Sequence, residues 1–198
     1  MRMIKDKTEY RKHPVNDEYY TPVEAVEFIL PYIPDKVTRI WECTAVPGSN
    51  IVKVLRQTGY SVIATHINTG FNFLSYEPID YDMIITNPPF SKKDEFLQRA
   101  FELRKPFMYL LPITGLVSVK RHKLFKEHGI QLIIPDCRFE FKPGGCGSSF
   151  NTSWFTHGLN LDRDLNFIPV SSPVNLSSEM QGIITSPGNI NPGYRQAA

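Results

Sequence analysis

Asn87-Pro88-Pro89-Phe90 is the stretch of this chain whose residue types and spacing speak most directly of chemistry. It follows Asp82-Met83-Ile84-Ile85-Thr86, an apolar run that reads as a buried strand. Two consecutive prolines cannot donate to a sheet ladder, so the turn must lie at the strand's carboxyl end. A side-chain amide, fixed carbonyls and an aromatic ring are thereby held rigidly on one rim. The plainer reading is a strand-terminating turn capped by an aromatic, because Asn-Pro commonly starts turns. A second turn, Val46-Pro47-Gly48-Ser49-Asn50, follows an earlier apolar stretch over 37–42. Other chemistries find little support: His13, His122, His128 and His157 show no metal spacing, and no metal is expected. No Ser/His/Asp constellation or phosphate loop appears. Gly144, Gly145 and Gly147 read as a mobile loop sooner than an anion site.

The elements that must position these turns alternate. Thr21-Pro22-Val23-Glu24 suits a helix start, with Thr21 as cap and Pro22 in the first helical position. Ala25, Val26, Phe28, Ile29 and Tyr32 give that helix an apolar face, which Pro31 and Pro34 end. Strands are expected over 37–42, 61–67, 82–86, 107–111, 130–134 and 151–156, with helices over 51–58, 94–103 and within 115–128. The last two strands are expected to pair antiparallel, since no helix fits between them. Such alternation predicts an α/β, Rossmann-like, mostly parallel mixed sheet covered by helices on both faces. Ligands of such sheets bind at the carboxyl ends of the strands, where both turns lie.

The 198 residues suffice for one α/β domain but not two. A hydrophobic fraction of 41% and a charged fraction of 21% are ordinary for a soluble protein. No window approaches the roughly 18 uninterrupted apolar residues of a membrane span. The charged start, without an apolar core, does not read as a secretory signal, and the odd set Cys43, Cys137 and Cys146 reads as free thiols, so a cytoplasmic location is expected. Residues 1–15 are taken as a basic arm, 16–170 as the domain, and the Ser-, Pro- and Gly-rich 171–198 as a flexible tail. The net charge of +2 is small, although Lys92-Lys93, Arg104-Lys105 and Lys120-Arg121 form local basic clusters. Taken alone, these clusters read as solvated helix faces sooner than as phosphate contacts.

Asn87-Pro88-Pro89-Phe90, placed after its strand, resembles the catalytic motif of S-adenosylmethionine-dependent N6-adenine methyltransferases of small phage or bacterial type. Tyr19-Tyr20-Thr21-Pro22 resembles the segment that precedes the cofactor motif in those enzymes, and the likeness extends over about residues 16 to 165. It implies a class I methyltransferase fold, S-adenosylmethionine as cofactor, and nucleic acid, DNA rather than RNA, as substrate. Asn87 and the Pro88 carbonyl would accept the N–H groups of the amino nitrogen and free its lone pair. Pro89 would stiffen the turn, and Phe90 would stack on the base. Phe150 and Trp154 are further candidates to receive it, with core packing the more natural role. Tyr20, Thr21, Pro22, Glu42, Gly48, His66, Asn72 and Phe73 would line the cofactor pocket, while Lys92, Lys93, Lys120 and Arg121 would meet phosphates. A base in a duplex would have to be flipped out to reach such a site. The same motif occurs in guanine-N2 RNA methyltransferases and, varied, in enzymes that methylate protein glutamine.

Three positions depart from the family's pattern. Val46 stands where a glycine is expected, and a β-branched residue there is expected to clash or strain the turn. His66 replaces the acid that grips the ribose hydroxyls, and Asn72 replaces an aspartate before phenylalanine. A catalytically silent module that binds nucleic acid or protein is the rival reading.

Overall fold

Apolar side chains alternate along each central strand, and the two resulting rows belong to two different cores. A computed structural model describes residues 20–141 and 151–170. The basic arm over 1–15, the tail over 171–198, Cys146, Phe150 and the glycines of 144–147 lie outside the described residues.

The strands are β1 (Arg39–Glu42), β2 (Ser61–Ala64), β3 (Met83–Thr86), β4 (Phe107–Pro112), β5 (Gln131–Pro135), β6 (Thr152–His157) and β7 (Leu165–Ile168). They form one sheet in the order β2-β1-β3-β4-β6-β5-β7. The first four run parallel, β6 lies antiparallel between β4 and β5, and β7 pairs parallel with β5. The expected antiparallel pairing of the 130–134 and 151–156 segments is present, with Leu132 opposite Phe155. β7 was not expected; its residues alternate between exposed and half-buried, and it closes the far edge.

On one face Ile40, Met83, Ile85, Met108, Leu110, Ile133 and Trp154 pack under α1 (Val23–Glu27) and α2 (Asn50–Gln57). On the other, Trp41, Ile84, Phe107, Tyr109, Leu111, Leu132 and Phe155 pack under α3 (Lys93–Leu103) and α4 (Val119–His128). Period-two burial on both faces is what a sheet sandwiched between helix layers requires. The first helix is shorter than expected: Pro22, not Thr21, occupies its cap position without a side-chain bond, and a 3₁₀ turn, Leu30–Tyr32, takes over where the α-helix stops. Pro31 lacks the N–H that a continuing α-helix would need. Ser49 caps α2 by accepting from the Val52 N–H at 3.4 Å.

Candidate active site

Glu42, the last residue of β1, is 1% exposed. Its Oε1 accepts from the Thr44 N–H at 2.9 Å, the Thr44 hydroxyl at 2.9 Å and the Thr86 hydroxyl at 2.7 Å. Its Oε2 has a longer contact, 3.4 Å, from the Ser49 hydroxyl. Burial pushes the carboxyl up to about 7, against the pull of these hydrogen bonds. The ends of β1 and β2 are laced together: Thr65 donates to the Glu42 carbonyl and Ala45 to the Thr65 carbonyl. In the turn that follows, Gly48 takes the left-handed conformation at φ +81°.

The second wall is the turn after β3. Pro89 caps a 3₁₀ turn, Phe90–Lys92, that runs straight into α3. The Thr44 hydroxyl lies 2.6 Å from that of Thr86 and 3.3 Å from the Asn87 carbonyl oxygen. The β1–β3 register, with Trp41 opposite Ile84, brings these strand ends level.

Between the two turns lies a cleft of about 910 Å³. Of the residues expected around a cofactor, Tyr20, Thr21, Glu42, His66, Asn72 and Phe73 line it; of the expected catalytic set, Asn87 and Pro89 do, joined by Lys92. Pro22, Gly48, Pro88 and Phe90 are not among its lining residues. Gly48 therefore serves through its backbone, turning the chain so that the Pro47 carbonyl accepts from the Tyr20 hydroxyl at 3.1 Å.

Individual expectations fare differently. Val46 lines the cleft, yet among the described residues only Arg104 and Asn160 are non-glycines at positive φ, so Val46 imposes no left-handed strain on the turn. His66 is 8% exposed; its Nδ1 accepts from the Asn68 N–H at 3.2 Å, which places the proton of a neutral ring on Nε2. The Asn72 amide oxygen, expected to face a ligand, accepts from the Leu74 N–H at 3.1 Å. Phe73 is a buried wall, stacked on Phe96 at 4.7 Å. Phe90 packs half-buried against the aromatic core on the α3 side.

The basic residues divide. Lys92 is exposed at the cleft, and the Lys93 ammonium donates to the Phe90 carbonyl at 2.9 Å. Lys120 is exposed on α4, away from the cleft lining. Arg121 corrects the sequence reading: at 7% exposure its guanidinium bonds Asp94 and the carbonyls of Gly115 and Val117, so it ties α3 and α4 together and does not reach a phosphate. Trp154 is wholly buried and donates to the Ala25 carbonyl at 3.0 Å, a core residue. Thr44, Thr86, Ser49 and Phe96 were missed; the only sequence signal for the threonines is their adjacency to the two turns.

No family model matches the chain. No curated protein matches it significantly. Among solved structures, it is similar to a Listeria monocytogenes protein assigned to the class I S-adenosylmethionine-dependent methyltransferases, with TM-score 0.53 and 14% identity over 85% of this chain and 71% of that one. The chain has a class I methyltransferase fold. More distant likenesses are to an Agrobacterium tumefaciens protein assigned as an O-methyltransferase (TM-score 0.48, 11% identity, 74% of this chain and 85% of that one) and to a Vibrio vulnificus protein assigned as a modification subunit of a type I restriction enzyme (0.49, 13%, 87% and 54%).

Proposed function

We propose that this protein is an S-adenosylmethionine-dependent methyltransferase whose acceptor is an exocyclic amino nitrogen, adenine N6 in DNA. The observation that carries the reading is the meeting of a buried carboxylate, Glu42, and the Asn87-Pro88-Pro89 turn across one cleft at the carboxyl rim of the sheet. The cleft's volume suits a nucleoside-sized ligand, since small-molecule sites run from roughly 300 to 1,000 Å³. The residues present fit the cofactor: Glu42 has a weakly engaged Oε2 for an ammonium group, Phe73 and Ile67 offer apolar walls, and His66 borders the same cleft.

When bound, the cofactor supplies an electrophilic methyl group on a sulfonium. The chain's part is to position and polarise. The Asn87 amide and the Pro88 carbonyl accept N–H groups of the acceptor, which withdraws its nitrogen's lone pair from the ring and aims it. Positioned acceptors of this kind need no strong base. Lys92, which lines the cleft, is the cation for a flanking phosphate.

The test is calorimetric titration with S-adenosylmethionine, followed by mass analysis of DNA, RNA and protein incubated with methyl-labelled cofactor. Cofactor binding and labelled N6-methyladenine are the expected results. Label on guanine N2 or on glutamine would move the substrate assignment. Nucleic-acid binding without any cofactor binding would make the protein a silent module. Replacing Asn87 by Ala is expected to leave cofactor affinity within a few-fold and to lower turnover roughly 10²- to 10³-fold.

A further inference from the structure

The threonines between the two turns share too few protons. Four contacts need a hydroxyl hydrogen: Thr86 to Glu42 Oε1, Thr44 to Glu42 Oε1, Thr44 to Thr86, and Thr44 to the Asn87 carbonyl. Two hydroxyls supply two hydrogens. The 2.6 Å oxygen–oxygen contact must hold one of them, because at that separation two lone pairs repel.

Two orderings satisfy this. With Glu42 ionised, the chain points toward it: Thr44 donates to Thr86 and Thr86 to Oε1 at 2.7 Å, a contact that must also hold a hydrogen. No hydroxyl hydrogen then remains for Asn87. With Glu42 carrying a proton on Oε1, the polarity reverses: Glu42 donates to Thr86, Thr86 to Thr44, and Thr44 to the Asn87 carbonyl.

We propose that Thr44 and Thr86 are positioning residues that form a reversible hydrogen-bond relay, through which a cation held at Glu42 withdraws the Thr44 hydrogen bond from the Asn87 carbonyl and so sets the acceptor turn. This rests on the reading of Glu42 as the seat of the cofactor's ammonium group. The Asn87–Pro88 peptide links the two Cα atoms that bear the acceptors assigned to the substrate, the Asn87 side chain on one and the Pro88 carbonyl on the other, so a bond to the Asn87 carbonyl bears on the placing of both. Burial holds the Glu42 carboxyl near neutral pH, which makes both orderings accessible. Among the described residues its perturbers are burial and hydrogen bonds from Thr86, Thr44 and Ser49, with no charged side chain among them. Cys43, buried beside it, feels its charge, and Tyr20, His66 and Lys92 are the other titratable residues of the cleft.

The experiment follows the Asn87 carbonyl carbon by NMR in the full chain, between pH 5.5 and 8.5 and with S-adenosylhomocysteine, which carries the same ammonium group and no methyl to transfer, as the probe. In the unmodified protein the signal is expected to move upfield as pH rises, and adding the probe at pH 6 is expected to move it the same way. Thr44→Val, which keeps volume and loses the hydroxyl, is expected to abolish both responses, and Thr44→Ser to restore them. Glu42→Gln is expected to abolish both responses. An Asn87 signal that ignores pH and probe, while the probe binds, overturns the relay and leaves the cofactor reading intact. A signal that responds to pH while the probe fails to bind sustains the relay and overturns the cofactor reading.

Discussion

An acid held uncharged by burial makes stability depend on pH in a direction opposite to that of a salt-bridged carboxylate. Glu42 moves from 4.5 to about 7 on folding, so between those values the native state holds more protons than the unfolded chain. Its contribution is therefore complete below pH 4.5 and is lost as pH rises through about 7, a swing of about 3 kcal/mol. Glu42→Gln is expected to flatten that slope and to be at least as stable as the unmodified protein at pH 8, as read by urea denaturation at pH 5 and pH 8. A variant markedly weaker at pH 8 would mean that Glu42 is ionised and well paired there. Binding of a cationic amine at Glu42 requires the ionised form, so affinity should rise with pH up to about 7 with proton release below it, measurable by calorimetry in two buffers. Val46 belongs to the same scale. Because it lines the cleft without left-handed strain, Val46→Gly is expected to change cofactor affinity by only a few-fold, and a large gain would show that its side chain obstructs the ligand.

Arg121 shows how an element-level role can hide inside a basic cluster. Lys120-Arg121 reads in sequence as a phosphate contact, but helical geometry turns adjacent residues to different faces, and here one faces solvent while the other faces Asp94. Arg121→Met is expected to cost about 3 kcal/mol by leaving Asp94 and two carbonyls without their buried donor, whereas Lys120→Ala stays within about 0.5 kcal/mol. Thermal melts of the two variants give the answer, and equal stabilities would return Arg121 to the surface. What could be read beforehand follows the same logic. Glu42 and the Asn87 turn were legible because strand ends are marked by local signals, a β-branched run closed by turn residues. The Thr44–Thr86 contact was not, because it depends on the register of two strands separated by more than forty residues. β7 escaped for a related reason: Leu165-Asn166-Phe167-Ile168 has only four residues and is defined by its pairing with β5.

For the molecule as a whole, the fold class, the antiparallel pairing near the end and the placement of both turns on one rim could be derived from alternation alone. The two-sided core follows from strands that are apolar throughout, as in β3 and β4. The sheet's exposed edge tests the converse. Phe167 is 73% exposed, so Phe167→Ser is expected to leave the melting temperature nearly unchanged, while Leu97→Ala, in the core under α3, should lose about 2–5 kcal/mol.

The chain's two tryptophans stand on opposite faces of that sheet, each wholly buried and each with its indole N–H satisfied, Trp41 by the Thr65 hydroxyl and Trp154 by the Ala25 carbonyl. They amount to two independent optical reporters. Trp41 lies against Phe73, a wall of the cleft, with ring centres 5.1 Å apart, and Trp154 sits beneath α1. A Trp154→Phe variant would emit from the cleft side alone and a Trp41→Phe variant from the helix side alone, so ligand arrival and loosening of the opposite layer can be watched separately by fluorescence in one protein.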